Sequence, residues 1–380
     1  MPNKSKRKKT ENKGRWTIFL IYGLVGIVYC LFIDNPNPIK EGPSYYMHSV
    51  LLLIALCVAE LIQIIFHEAG HLIFGLLTGY RFSSFRIVNL MWVKLDGRVQ
   101  FRRLNFTGIG GQCLMIPPDL KDGKMPVMLS NLGGAIVNLV TAIICVGLSF
   151  LCPAHSPLWM ILMILAVMGL LHALLNGLPI QTSRVRNDGK NAQDLFHNEE
   201  AIRALWIHLK VCEQELKGIR IKDMPDEWFT VPSDESMENQ FIALIGAYAY
   251  SRLMDQRRFD EADALIEHLL SLQNVFSDDS RGLLVCERMY VEMISKNRKE
   301  ILDEMRTEDQ LKIMKAMKKS LTVLRTEYVY ALLVEGDLEK AKEIKAKFYQ
   351  RAKFNPYPGE IESEVELIKL AEERMASQQK

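Results

Sequence analysis

Two histidines and a glutamate in the segment His67–His71, which reads His-Glu-Ala-Gly-His, carry the clearest chemical signal in the sequence. Side chains four residues apart in a helix lie on the same face, so both imidazoles could bind one metal ion. In such sites a carboxylate at the position of Glu68 accepts a proton from the hydrolytic water. The spacing therefore predicts a hydrolytic zinc site with His67 and His71 as ligands and Glu68 as the general base.

A third ligand is expected from another segment, because a catalytic zinc ion usually has three protein ligands and one open position. The candidate is Asp188, which follows Asn176 and Pro179 at the end of the last apolar run. Proline ends or kinks a helix, so the chain up to Gly189 can fold back toward the histidines. An isolated Asp-Gly pair is otherwise typical of a surface turn, and that interpretation of Asp188 stays open at this point.

The elements that must position these residues are long apolar segments in the first half of the chain. The 380 residues are 49% hydrophobic and 24% charged, and nearly all the long apolar runs precede Gly189. A helix of about 20 apolar residues can cross a bilayer. Four membrane spans are therefore predicted, at about residues 16–33, 46–78, 127–151 and 156–180.

The charges of the loops predict the orientation of these spans. The arm 1–15 and the loop 79–126 are rich in lysine and arginine, as is the chain after Ile180, whereas loops 34–45 and 152–157 are nearly free of them. By the positive-inside rule, both termini and loop 79–126 face the cytoplasm of a multi-pass protein in the cell membrane. The formal net charge of +2 does not suggest nucleic acid as a partner.

At these residues the chain resembles the site-2 protease family of intramembrane zinc metalloproteases. The family's motifs occur here in the same order: HExxH at His67–His71, a GPxxN-like element at Gly133–Asn138 and an Asn-x-x-Pro…Asp-Gly element at 176–189. Ala135 stands where the family usually has proline, and the last element is longer than its commonest form. The resemblance covers about residues 46–195, which is less than half of the chain.

The resemblance implies an intramembrane zinc endopeptidase with Zn²⁺ as its cofactor. It implies the zinc ligands His67, His71 and Asp188 and the general base Glu68. It also implies that Asn138 and Asn176 line or order the site, and hydrogen bonding between helices is the alternative for these two residues. The substrate would be a peptide bond in or near a transmembrane segment of a membrane protein, or in a membrane-retained leader peptide. The alternative is a non-proteolytic, membrane-anchored scaffold with a structural metal site. Glu68 argues against the scaffold, because a structural site needs no general base.

Three other residues of the membrane half are candidates for a place near the site. Glu60 shares a helix face with the two histidines, and it either orients a ligand or carries protons, or pairs with another polar group inside the bundle. His172 either faces the site or is a hydrogen-bonded packing residue. The seven cysteines form no CxxC spacing and are predicted to be small buried hydrophobes, with Cys113 the one that could lie near the site.

Loop 79–126 contains the pair Asp96-Gly97 between two mixed apolar and basic runs, 85–95 and 98–106. An Asp-Gly pair in this setting predicts a small β-hairpin. Such a hairpin either binds an extended substrate as an added strand, as β elements are held to do in the resembling family, or simply caps the helix bundle.

Residues 196–380 are polar and helix-forming, which predicts an all-α cytoplasmic domain of helical hairpins. Residues 235–272 are predicted to form two helices broken near 255–259, and a similar helix pair is predicted at 327–349. In the second pair, residues 336–341 resemble the turn of a tetratricopeptide repeat, and residues 259–262 match its 338–341 part. A tetratricopeptide-like array that binds a protein partner is therefore a further prediction. The predicted fold class is an all-α polytopic membrane protein with about four transmembrane helices and a small β-hairpin insert. Its membrane domain, residues 16–195, precedes the helical domain.

Overall fold

The computed structural model describes Gly23 and residues 43–95, 97–103, 110–181, 186–273 and 275–378. The predicted basic arm 1–15 and, apart from Gly23, the predicted first span 16–33 lie outside the described residues. The described chain is mostly helical, with 13 α-helices and one small antiparallel sheet. It divides into two compact units, and the main boundary falls between Glu199 and Glu200.

Three helices in the described part of the first unit are long and apolar enough to cross a membrane. They are α1 (Pro43–Leu77), α2 (Met128–Ser149) and α3 (Pro157–Gly177), and they correspond to the second, third and fourth predicted spans. Many of their large apolar side chains are exposed, whereas the polar side chains of Gln63 and Asn138 are fully buried. Apolar groups outside and hydrogen-bonded polar groups inside are the arrangement expected of helices that pack in lipid.

The prediction that the cysteines are small buried hydrophobes holds only in part. Cys145 and Cys286 are buried, but Cys57 is exposed, and all six cysteines in the described ranges are free thiols. Cys57 lies on α1, where many of the neighbouring apolar side chains are exposed as well. Its apolar character therefore suits lipid contact rather than burial in the protein.

The chain after the last span turns back through a proline and an asparagine. Helix α3 ends at Gly177, a few residues before the predicted end, because Leu178 adopts an extended backbone ahead of Pro179. Helix α4 (Asp188–Leu195) then begins, and the side chain of Asn187 caps its N-terminus. Asp188 is consequently the first residue of a helix rather than part of a surface turn.

Loop 79–126 forms a four-stranded antiparallel sheet, which contains the predicted hairpin and two further strands. A turn lies at Gly97, where the sequence predicts it, but the first run is divided at Val88, which has a φ of 52°. Only Asn89 marks that extra turn in the sequence, and no glycine or proline does. The strands are β1 (Arg81–Ile87), β2 (Leu90–Leu95), β3 (Arg98–Arg103) and β4 (Gly111–Ile116), in the order β3-β2-β1-β4.

The second unit is built from helices, and both predicted helical hairpins occur in it. The first consists of α6 and α7, and the second of α11 and α12, which are joined through a π-helical turn and Gly336 in the left-handed region. The helices of this half of the chain are α5 (Glu199–Leu216), α6 (Gln240–Asp255), α7 (Phe259–Ser271), α8 (Asp278–Ser295), α9 (Lys299–Met305), α10 (Glu308–Ala316), α11 (Leu321–Tyr330), α12 (Leu338–Ala352) and α13 (Pro358–Gln378).

A buried charge cluster lies in the core of the second unit. The guanidinium of Arg325 is fully buried, 2.8 Å from a carboxylate oxygen of Glu287 and 3.1 Å from one of Glu364. It also lies over the ring of Tyr290. Because an unpaired buried charge is strongly destabilising, this cluster ties α8, α11 and α13 to one packing arrangement.

Candidate metal centre

Close contacts between backbones bring the segments of the predicted site together. A Cβ atom on Gly70 would overlap the carbonyl oxygen of Gly133, so the backbones of α1 and α2 are in direct contact where the helices cross. A Cβ atom on Gly189 would likewise overlap the carbonyl oxygen of Gly177, which seats the start of α4 against the end of α3. Residues from α1, α2 and α4 therefore converge in one small volume.

His67, His71 and Asp188 direct one ligand atom each toward a common point. The Oδ2 atom of Asp188 lies 3.0 Å from His67 Nε2 and 3.3 Å from His71 Nε2, and the two Nε2 atoms are 3.2 Å apart. Ligand atoms at about 2.0–2.1 Å from a tetrahedral zinc ion lie about 3.3 Å from one another. The separations fit three zinc ligands, and in the described ranges this is the one group of three that could hold a metal ion.

The partners of the histidines determine which ring nitrogen carries the proton. His67 Nδ1 donates to Asn138 Oδ1 and His71 Nδ1 donates to the carbonyl oxygen of Ser130, each at 2.8 Å. Carbonyl oxygens only accept, so each Nδ1 is protonated and each Nε2 can present a lone pair. Lone pairs so close to each other and to a carboxylate repel unless a cation lies between them, and the separations suit a metal ion.

The carboxylate of Asp188 is placed to bind a metal ion rather than to accept a hydrogen bond. Its Oδ2 atom is buried and has no hydrogen-bond donor among the described residues. A buried carboxylate oxygen without a donor is costly, whereas a metal ligand with a bound cation is not. The residues present therefore fit a zinc ion held by His67, His71 and Asp188.

Asn187 positions Asp188, and the sequence analysis did not assign it. Its side-chain oxygen accepts from the backbone N–H of Ile180 at 3.0 Å, and its amide donates to the carbonyls of Leu175 and Leu178. These bonds attach the start of α4 to the end of α3. An asparagine directly before a polar helical segment is a common N-cap, which is the signal that could have identified it.

Glu68 lies between the histidines and the sheet. Its side chain is buried, and a Cβ atom on Gly111 of β4 would overlap its carboxylate. Cys113 follows on the same strand, and burial together with the Glu68 carboxylate raises the pKa of its thiol to about 12. Cys113 is thus near the site, as the sequence suggested, but it stays protonated at neutral pH and is a poor nucleophile.

Three other polar residues of the spans interact with one another or with their own helix. Glu60 Oε2 lies 2.9 Å from His172 Nε2, so these two residues form a pair between α1 and α3. Of the alternatives left open for them, the structure shows pairing with another polar group, with His172 mostly buried and the Glu60 side chain 46% exposed. The amide of Asn176 donates to the carbonyl of His172 at 3.1 Å. The site-lining role that the resemblance implies for Asn176 stays a prediction.

The close crossing of α1 and α2 leads to a prediction about stability. Replacing Gly70 by Ala should lower the free energy of unfolding by about 1–3 kcal/mol, because the new methyl group must push two backbones apart. Thermal unfolding in detergent would measure the change. Gly147→Ala is the matched control, since a Cβ atom there has nothing within 4 Å. Equal effects of the two substitutions would contradict the crossing.

In the comparisons with known proteins, no family model, no curated protein and no solved structure matches this chain. A function for it must therefore be argued from the geometry of the metal centre and from the motifs of the sequence.

Proposed function

We propose that this protein is an intramembrane zinc endopeptidase. The observation that carries the proposal is the convergence of three ligand atoms, 3.0–3.3 Å apart, directly beside a carboxylate in a helix that could span a membrane. The ordered motifs that resemble the site-2 protease family support the same conclusion. The substrate is a peptide bond in or near a transmembrane segment of a membrane protein, or in a membrane-retained leader peptide.

Each residue of the centre has a chemical task in this proposal. His67, His71 and Asp188 would hold zinc, which would act as a Lewis acid and lower the pKa of the hydrolytic water. Glu68 accepts the proton of that water and returns it to the amine that leaves. The presence of Glu68 favours hydrolysis over the scaffold alternative, since a purely structural site has no use for a proton acceptor.

The proposed arrangement in the membrane has four spans, the predicted first one and helices α1 to α3. Both chain termini and the sheet face the cytoplasm, as the positive charge of loop 79–126 favours. The segment His67–His71 lies toward the end of α1 that enters the sheet. Water can therefore reach the centre from the cytoplasmic side without crossing the hydrocarbon layer.

The edge of the sheet is the proposed site for the substrate backbone. Peptide bonds inside a helix are shielded, so a substrate must be held extended before hydrolysis. Strand β4 is at an edge of the sheet among the residues that the structure describes, and its residue Gly111 lies against Glu68. An extended substrate segment that pairs with this edge would lie beside the general base. The alternative, a sheet that only caps the bundle, needs no such contact with Glu68.

For the second unit we propose a tetratricopeptide-like array that binds a protein partner. The support is the pair of helical hairpins α6–α7 and α11–α12, whose second helices begin at Phe259 and Leu338, the starts of the two matching sequence segments. Stacked hairpins of this kind form extended surfaces for protein binding.

The proposed function is tested on the full chain purified in detergent. We expect about one zinc ion per chain and cleavage of some members of a panel of single-span substrates. A chelator should stop the cleavage, and added zinc should restore it, while soluble peptides of the same sequence composition are cut poorly. A folded protein that binds no zinc, or cleavage that a chelator leaves unchanged, would contradict the proposal.

A further inference from the structure

A chain of hydrogen bonds leads from the candidate metal centre across all three described spans. It begins at His67, passes through Asn138 of α2 and Gln63 of α1, and ends at the carbonyl of Leu165 in α3. Asn138 Nδ2 donates to Gln63 Oε1 at 2.7 Å and to the Gln63 carbonyl at 3.0 Å, and Gln63 Nε2 donates to Leu165 O at 2.9 Å. Both amide side chains are fully buried.

Each side chain in this relay can be oriented in only one way. The carbonyl of Leu165 only accepts, so Gln63 must present its Nε2 to α3 and its Oε1 to Asn138. Asn138 then presents its Nδ2 to Gln63 and its Oδ1 to His67. As a result His67 must carry its proton on Nδ1, which leaves Nε2 free to bind a metal ion.

The packing of α3 provides the space for the relay. A Cβ atom on Gly169 would lie 2.9 Å from the carbonyl oxygen of Asn138 and 3.1 Å from Gln63 Nε2. A larger residue would force these groups to move, so a glycine allows α3 to close over the two amides. In an apolar bundle no water competes for these donors and acceptors, and the orientation persists.

We infer that Gln63 is a positioning residue that, through Asn138, holds His67 in the tautomer able to bind zinc. Without the Gln63 amide, Asn138 Nδ2 loses the shorter of its two acceptors and keeps only the Gln63 backbone carbonyl, so a reversed Asn138 side chain costs one hydrogen bond instead of two. A reversed Asn138 would present Nδ2 to His67, and the imidazole would then carry its proton on Nε2. The inference rests on the proposed function only for zinc binding by His67 and requires no peptidase activity.

The test measures zinc affinity by chelator competition on the full chain in detergent, with the visible spectrum of bound cobalt as a second readout. Gln63→Met has a side chain of similar length without hydrogen-bonding groups, and we expect about tenfold weaker zinc binding and an altered cobalt spectrum. Thr141→Val is the matched control, because the Thr141 hydroxyl donates within its own helix, to the carbonyl of Val137. It should bind zinc as the wild type does.

Two further variants separate orientation from packing. If Gln63 acts through Asn138, adding Gln63→Met to Asn138→Leu should cause no further loss of affinity, whereas losses that multiply would overturn the inference. Gln63→Glu, which carries a proton in this buried apolar setting, keeps an oxygen acceptor for Asn138 Nδ2 and an O–H donor for the Leu165 carbonyl, so it should retain wild-type affinity. It also serves as the test if Gln63→Met does not fold, and a tenfold loss in Gln63→Glu would overturn the inference.

Failure of the proposed function and failure of the role of Gln63 give different results in this experiment. A wild-type chain that binds no zinc would contradict the proposed function and this inference together. A wild-type chain that binds zinc, with Gln63→Met showing the same affinity and cobalt spectrum, would overturn the role of Gln63 alone.

Discussion

Replacing Glu68 by Gln should lower the rate of peptide-bond hydrolysis by about 10²–10⁴-fold while zinc stays bound. Glutamine has nearly the same shape, so it fits the buried space against Gly111, but its amide cannot accept the proton of the hydrolytic water. Glu68 is not one of the three converging ligands, and zinc content should therefore be unchanged. Cleavage rate and metal content, measured on the same detergent-purified samples, check both parts.

Glu60→Gln is the matched control for this prediction. Glu60 is also a carboxylate of α1, but it pairs with His172 and is not part of the ligand group. A glutamine there should leave the cleavage rate within a few-fold of the wild type. If Glu68→Gln cleaved at the wild-type rate, Glu68 would not be the general base.

The second prediction concerns the third ligand. Asp188→Ala should weaken zinc binding on the order of 10³-fold, because one of three protein ligands is lost. Two histidines whose Nε2 atoms lie 3.2 Å apart would remain, and they hold a metal ion less firmly. Asp188→Asn keeps the shape and one oxygen but loses the negative charge, so its affinity should fall between those of Asp188→Ala and the wild type.

Unfolding can be separated from ligand loss in this experiment. Without zinc, Asp188 Oδ2 can still pair with a protonated imidazole of His67 or His71, 3.0 Å and 3.3 Å away, so thermal unfolding of the metal-free proteins first shows whether Asp188→Ala is folded. What should disappear is the rise in melting temperature on adding zinc. A folded Asp188→Ala that keeps its zinc would place the third ligand elsewhere.

The parts of the molecule that depend on near neighbours in the chain were predictable. The segment His67–His71 needs only the pitch of a helix to put two imidazoles on one face. The three described helices that could span a membrane follow from runs of apolar residues. The turn at Gly97 and the break between α6 and α7 follow from local residue preferences.

Pairing between distant segments was harder to predict. Strand β4 pairs with β1, which lies far from it in the sequence, and no residue pattern near Gly111 predicts that pairing. The sequence therefore predicted one hairpin where the structure has four strands. The role of Gln63 was not predicted for the same reason. A single amide one turn before His67 indicates no role in the sequence, and its contacts with Asn138 and Leu165 are visible only in the tertiary structure.

By itself the sequence determined that the two histidines share a helix face, that a carboxylate lies beside them, and where the apolar helices lie. These features depend only on spacing and composition within a few helical turns. It could not choose between a surface turn and a ligand for Asp188, since that depends on how two helices end and approach. The tertiary structure places Asp188 against both histidines, through the glycines at which backbones touch and through Asn187, which attaches α4 to α3. Ligand atoms from separate segments converge only when packing brings their backbones together.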